Sequence, residues 1–154
     1  MTHREGSQAS DFKLQGSDGK THSLLDYRGK TLVIYFYPRD DTPGCTKESC
    51  SFRDLKSDFD SLDTIILGVS NDSLASHDKF IAKFNLPFVL LSDPETSMMQ
   101  IYGAWGEKKI YGKVCIGCIR STMIIDPQGT VIKHWPKVKN AVDHPTEVLD
   151  FLKG

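Results

Sequence analysis

The sequence has no long apolar run. Its longest, Leu32 to Tyr37, is far too short to span a bilayer. The opening Met1–Ser10 is polar and lacks the apolar core of a secretory signal. A cytoplasmic, soluble protein is expected, with no membrane contact. Charge of one sign is lacking too. The formal net charge is -1, with lysines and arginines scattered along the chain, so nothing marks a nucleic-acid or anionic-lipid partner. No internal repeat, low-complexity tract or Pro/Gly-rich linker divides the 154 residues, which predicts one domain over 1–154. The five histidines are dispersed, with no spacing that suggests a metal pair or a Cys–His dyad, and read as ordinary surface or core residues.

What is present is an ordinary globular composition and four cysteines: Cys45, Cys50, Cys115 and Cys118. In a reducing compartment such cysteines point to catalysis or metal binding before structural disulfides. Patterning supplies the frame around them. Phe12–Leu14 and His22–Leu25 flank a Gly16–Gly19 turn and predict a short hairpin. Thr31–Tyr37 and Thr64–Val69 read as buried strands. Phe52, Leu55, Phe59 and Leu62 recur at helical spacing between Cys45 and Leu62, and Leu74, His77, Ile81 and Phe84 mark a helix capped by Ser73. Phe88–Leu91 predicts a strand and Ser97–Tyr102 a helical turn. Thr122–Ile125 and Val131–Trp135 predict a hairpin around Asp126-Pro-Gln-Gly129, and Pro145–Leu152 a closing helix. The sum is α/β: a mixed sheet flanked by helices, compatible with a thioredoxin-like fold.

The segment Tyr37-Pro-Arg-Asp-Asp-Thr-Pro-Gly-Cys-Thr-Lys-Glu-Ser-Cys50 joins a buried strand to a helix. Open α/β sheets place their sites at such junctions. Thr42 suits an N-cap, Pro43 the first helical position, and Gly44 keeps the approach clear. Cys45 then falls in the first turn, where free N–H groups and the helix dipole favour an anion. A helix N-terminus with a nearby cation can bring a cysteine pKa from about 8.5 to roughly 3.5–7.5. The Thr42 hydroxyl and the Cys45 N–H can hydrogen-bond the oxygens of a substrate attacked by the thiolate, and a guanidinium would hold thiolate and developing charge together. Asp40 and Asp41 are expected to solvate the loop. Glu48, one turn below Cys45, is placed to pair with an arginine or to orient the loop.

Pro38, Thr42 and Cys45 match the Pro-x-x-x-Thr-x-x-Cys signature of peroxiredoxins, and Arg120 in Arg-Ser-Thr-Met-Ile-Ile-Asp126 resembles their downstream arginine segment. Phe12-Lys-Leu, Phe36-Tyr-Pro, Gly68-Val-Ser, Leu86-Pro-Phe and Leu91-Ser-Asp extend the resemblance over nearly the whole chain, toward the peroxiredoxin Q or bacterioferritin comigratory protein subfamily. The resemblance implies a thioredoxin-like fold and an antioxidant peroxidase acting on hydrogen peroxide and organic hydroperoxides. It makes Cys45 the peroxidatic cysteine, activated by Thr42 and Arg120 and shielded by Pro38. It makes Cys50 the resolving cysteine of an intrachain disulfide, re-reduced by thioredoxin or a similar dithiol. A monomer is implied, and neither cofactor nor metal.

Helical geometry opposes that disulfide, because five residues advance the chain by about 7.5 Å and turn it by about 140°. The Cα atoms then lie beyond the roughly 7 Å that a disulfide can bridge, so the first turns must unwind. Two rival readings use Cys115 and Cys118. A thioredoxin-like reductase would need its Cys-x-x-Cys to start a helix, whereas this one precedes a strand. A zinc module of both cysteine pairs has permitted spacings but leaves Thr-Pro-Gly unexplained. The pair itself reads as incidental small residues, an auxiliary thiol pair, or half of a metal site, the first being expected. Should the following strand start early, Cys118 would share a face with Arg120 and Thr122, with Cys115 outside in the loop near Gly112.

Overall fold

A computed structural model describes residues 5–154 of the chain. Among the described residues nine strands form: β1 (Lys13–Gly16), β2 (Thr21–Ser23), β3 (Thr31–Phe36), β4 (Thr64–Ser70), β5 (Val89–Ser92), β6 (Trp105–Ile110), β7 (Lys113–Cys118), β8 (Ser121–Ile125) and β9 (Val131–Trp135). Five α-helices accompany them: α1 (Pro43–Asp54), α2 (Lys56–Ser61), α3 (Leu74–Phe84), α4 (Ser97–Ile101) and α5 (His144–Lys153). Seven strands make one mixed sheet in the order β2-β1-β5-β4-β3-β8-β9. The pairs β3–β4 and β4–β5 are parallel, and the flanking pairs are antiparallel.

β3 lies inside the sheet, between β4 and β8, because its apolar run lets it bury both faces. Leu32, Ile34 and Phe36 join one core cluster with Met99, Tyr102 and Met123. Val33, Tyr35 and Tyr37 join the other with Phe52 of α1, Phe59 of α2, Phe80 of α3 and Val148 of α5. The expected helix through Cys45–Leu62 breaks at Leu55 into α1 and α2. The break leaves Phe52 and Phe59 fully buried, so the apolar spacing survives it. Ser73 caps α3 as expected, its hydroxyl accepting from the Ser76 N–H.

One element was not legible as a strand pair. β6 and β7 form a separate two-stranded ribbon joined by Tyr111-Gly112. Both residues have positive φ, 51° and 80°, as a two-residue hairpin turn demands, and Gly112 supplies its second position without strain. The ribbon's residues are mostly exposed or half-exposed, so no apolar alternation marks them. The expectation that Cys115 lies in a loop is therefore corrected: it sits within β7. Among the described residues, no helix is long and apolar enough to cross a membrane.

Candidate active site

β3 delivers the chain to Tyr37, and a loop through Pro38 and Thr42 opens α1. Thr42 occupies the N-cap in extended conformation, but its side chain does not cap. Its hydroxyl donates to the Arg39 carbonyl at 2.8 Å instead. That bond uses the only proton of Oγ1 and leaves its lone pairs to accept. Pro43 has no N–H, and the first helical bond runs from Thr46 N–H to Thr42 O, at 2.8 Å. The N–H groups of Gly44 and Cys45 thus precede the helical ladder, where an anion is favoured.

Cys45, Glu48, Ser49 and Phe52 form the buried face of α1, while Cys50 is half-exposed. All four cysteines are free thiols. Burial pushes the Cys50 thiol up, opposed by Arg53 and reinforced by Asp54. From the other end of the chain, Arg120 reaches both acids of this face. Its Nη2 donates to Cys45 Sγ at 3.3 Å and its Nη1 to Glu48 Oε1 at 2.8 Å. The expectation that Glu48 pairs with an arginine is thus met. A Cβ at residue 44 would sit 3.1 Å from Arg120 Nη2, so glycine there keeps open the space the guanidinium fills. Burial pushes the fully buried Glu48 carboxyl up to about 7, with Arg120 opposing. Its Oε2 has no hydrogen-bond partner.

Pro38, Cys118, Ile119 and Arg120 line one open pocket together with Lys108, Lys109 and Val138. Cys118 therefore borders the site, but by a different route from the one expected. β7 ends at Cys118 and β8 begins at Ser121, so strand alternation does not carry across Ile119 and Arg120. Cys118 packs with Phe36 and Met123, on the sheet face away from Cys45, while Thr122 bonds His144 Nε2 at 2.8 Å. Burial pushes the Cys118 thiol up to about 12, which keeps it protonated. Residues three apart on a strand are separated by roughly 10 Å and point to opposite faces, too far for a disulfide between Cys115 and Cys118. The auxiliary-pair reading would require β7 to come apart.

A further correction concerns Asp40, expected to solvate the loop. It is buried, accepting from Tyr37 Oη and Ser76 Oγ and facing His77 Nδ1. No motif signalled this, since Ser76 and His77 lie on α3, more than thirty residues away. Asp41 does follow expectation, forming an exposed ion pair with Lys83. Among the described residues, no group of three or more His, Cys, Asp or Glu is placed to hold a metal ion.

Residues 6–134 match the AhpC/TSA family. The chain is 49% identical over 153 residues to peroxiredoxin Bcp of Bacillus subtilis, covering 99% of this chain and 97% of that one. Solved structures agree. A mutant of Xylella fastidiosa PrxQ is 35% identical with a TM-score of 0.92, covering 99% of this chain and 97% of that one. The Xanthomonas campestris bacterioferritin comigratory protein, studied for its alkyl peroxide reduction activity, is 43% identical with a TM-score of 0.86, covering 92% and 90%. The mixed sheet and its flanking helices are thus thioredoxin-like, and the chain belongs to the AhpC/TSA family, among the peroxiredoxins of the Bcp or peroxiredoxin Q type.

Proposed function

We propose that this protein reduces hydrogen peroxide and organic hydroperoxides through Cys45. The observation that carries the reading is the Arg120 Nη2 contact to Cys45 Sγ, made where the opening turn of α1 already favours an anion. The Cys45 thiolate attacks one peroxide oxygen, the O–O bond breaks, and the departing alkoxide or hydroxide takes up a proton. Cys45 is left as a sulfenic acid. Arg120 holds the thiolate and neutralises charge that develops on the oxygens. Thr42 Oγ1, its own proton committed to Arg39, accepts from the peroxide hydroxyl. Pro38, in the wall of the pocket, limits water at the sulfur. The alkyl peroxide activity described for the Xanthomonas relative supports including organic substrates.

In the second step the Cys50 thiol condenses with the sulfenic acid, releasing water and forming an intrachain disulfide. Both residues lie in α1, so the helix must unwind first. Unwinding also relieves the burial that pushes the Cys50 thiol up. The unwound disulfide suits reduction by thioredoxin or a similar dithiol. The chain acts as a single domain and a monomer in the cytoplasm. Steady-state peroxide consumption with thioredoxin and its reductase tests the assignment: Cys45→Ser is expected to retain the fold and lose turnover. Substantial turnover in that variant would overturn it.

A further inference from the structure

Five residues before Cys45, the buried Asp40 is not used by the chemistry above. Its carboxylate gathers Tyr37 Oη on Oδ1 at 2.6 Å, and Ser76 Oγ and His77 Nδ1 on Oδ2 at 2.8 and 2.7 Å. Its backbone N–H donates to Asp72 Oδ2 at 2.8 Å. His77 is 0% exposed, and its Nε2 lies 2.9 Å from the Leu91 carbonyl oxygen. A carbonyl only accepts, so Nε2 carries a proton. A neutral imidazole would then present the bare lone pair of Nδ1 to a carboxylate, so a further proton lies between Nδ1 and Oδ2. The contact is a proton-bridged pair that ties the 37–42 loop to α3 and, through Leu91, to β5.

The turn is therefore held by Arg120 at Cys45, and the loop before it by His77, Ser76 and Asp72 at Asp40. Disulfide formation requires the first turn of α1 to leave its place, and further oxidation of Cys45 requires it to stay. We infer that His77 is a positioning residue, holding the Cys45 loop folded through Asp40 and setting how Cys45 sulfenic acid divides between two fates. In one, Cys50 condenses with it and water leaves. In the other, a second hydroperoxide transfers one oxygen to the sulfur, giving the sulfinic acid and an alcohol or water. This division rests on the proposed role of Cys50. The tethering of the loop does not.

Two substitutions separate the parts. His77→Gln retains a donor for the Leu91 carbonyl and loses the contact to Asp40, whereas His77→Asn restores a donor where Nδ1 stands. In reduced His77→Gln, amide exchange over residues 39–46 is expected to rise about tenfold or more, the effect of losing one charge-assisted bond. His77→Asn should recover most of the protection. In a peroxide titration read by mass, His77→Gln should need several-fold more peroxide to convert half the chains to sulfinic acid. Val131→Ala, in the core cluster on the other sheet face, should lower thermal stability without either effect. If His77→Gln folds and its loop exchanges like wild type, the tether is overturned whatever Cys50 does. If exchange rises but the over-oxidation threshold stays, or Val131→Ala moves it equally, the control of fate is overturned. Absence of a Cys45–Cys50 disulfide in oxidised wild type would remove the resolving role and, with it, the division of fates, while the exchange result still decides the tether. Should His77→Gln not fold, Ser76→Ala removes another donor to Oδ2 and is expected to act in the same direction; no change there would equally overturn the tether.

Discussion

Arg120 divides one guanidinium between two acids, Cys45 and Glu48. Arg120→Ala is expected to slow peroxide attack by 100-fold or so, on the scale of losing one transition-state donor. Arg120→Lys should recover only part, because an ammonium cannot hold both acids with a planar fork. Stopped-flow oxidation of the reduced variants checks this, and unchanged rates would remove Arg120 from the reaction. Glu48 makes a separate prediction through pH. Its folded pKa of about 7 lies above the ordinary 4.5, so the proton stabilises the fold. That contribution is full below about 4.5 and is lost as pH rises through about 7. From the shift it is on the order of 3 kcal/mol. Glu48→Gln, which cannot ionise, should flatten the fall in stability over that window, as read by urea unfolding at pH 5 and pH 8. An identical pH dependence in the variant would show that Glu48 does not ionise within it.

At the scale of elements, the proposed cycle asks α1 to be both a rigid platform and a part that opens. Intact, it aims Cys45 at Arg120 and turns Cys50 toward solvent. Amide exchange should therefore fall into two patterns: α1 protected in reduced protein, and residues 42–52 losing protection once oxidised. Equal exchange in both states would exclude the unwinding step. The start of α1 was legible because Thr-Pro-Gly-Cys carries its own local chemistry, as were the buried runs of β3 and β4. The β6–β7 ribbon was not, since its strands are open to solvent and show no apolar alternation. Its one local signal was the Tyr111-Gly112 turn. The role of Thr42 was half legible: sequence gives the N-cap position, while the choice of Arg39 O as its acceptor depends on how the loop closes.

Across the whole molecule, the sheet brings together residues that no local pattern links. β8 pairs antiparallel with β3, with Ser121 opposite Phe36, and so sets Arg120 beside the loop that leaves β3. The Arg120–Cys45 contact spans 75 residues of sequence. Arg120 was therefore singled out by family resemblance and by the need for a cation, not by any periodicity. The tie between Asp40 and His77 depends likewise on α3 lying over the loop, which two dispersed residues cannot announce. Cys118, at the border of the same pocket, is the residue best placed to contradict the account. The most direct measurement is mass mapping of protein treated with one equivalent of peroxide, alkylated and digested without reductant. The predicted result is a Cys45–Cys50 disulfide, with Cys115 and Cys118 recovered as alkylated thiols. Recovery of Cys45 linked to Cys118, with Cys50 alkylated, would contradict it.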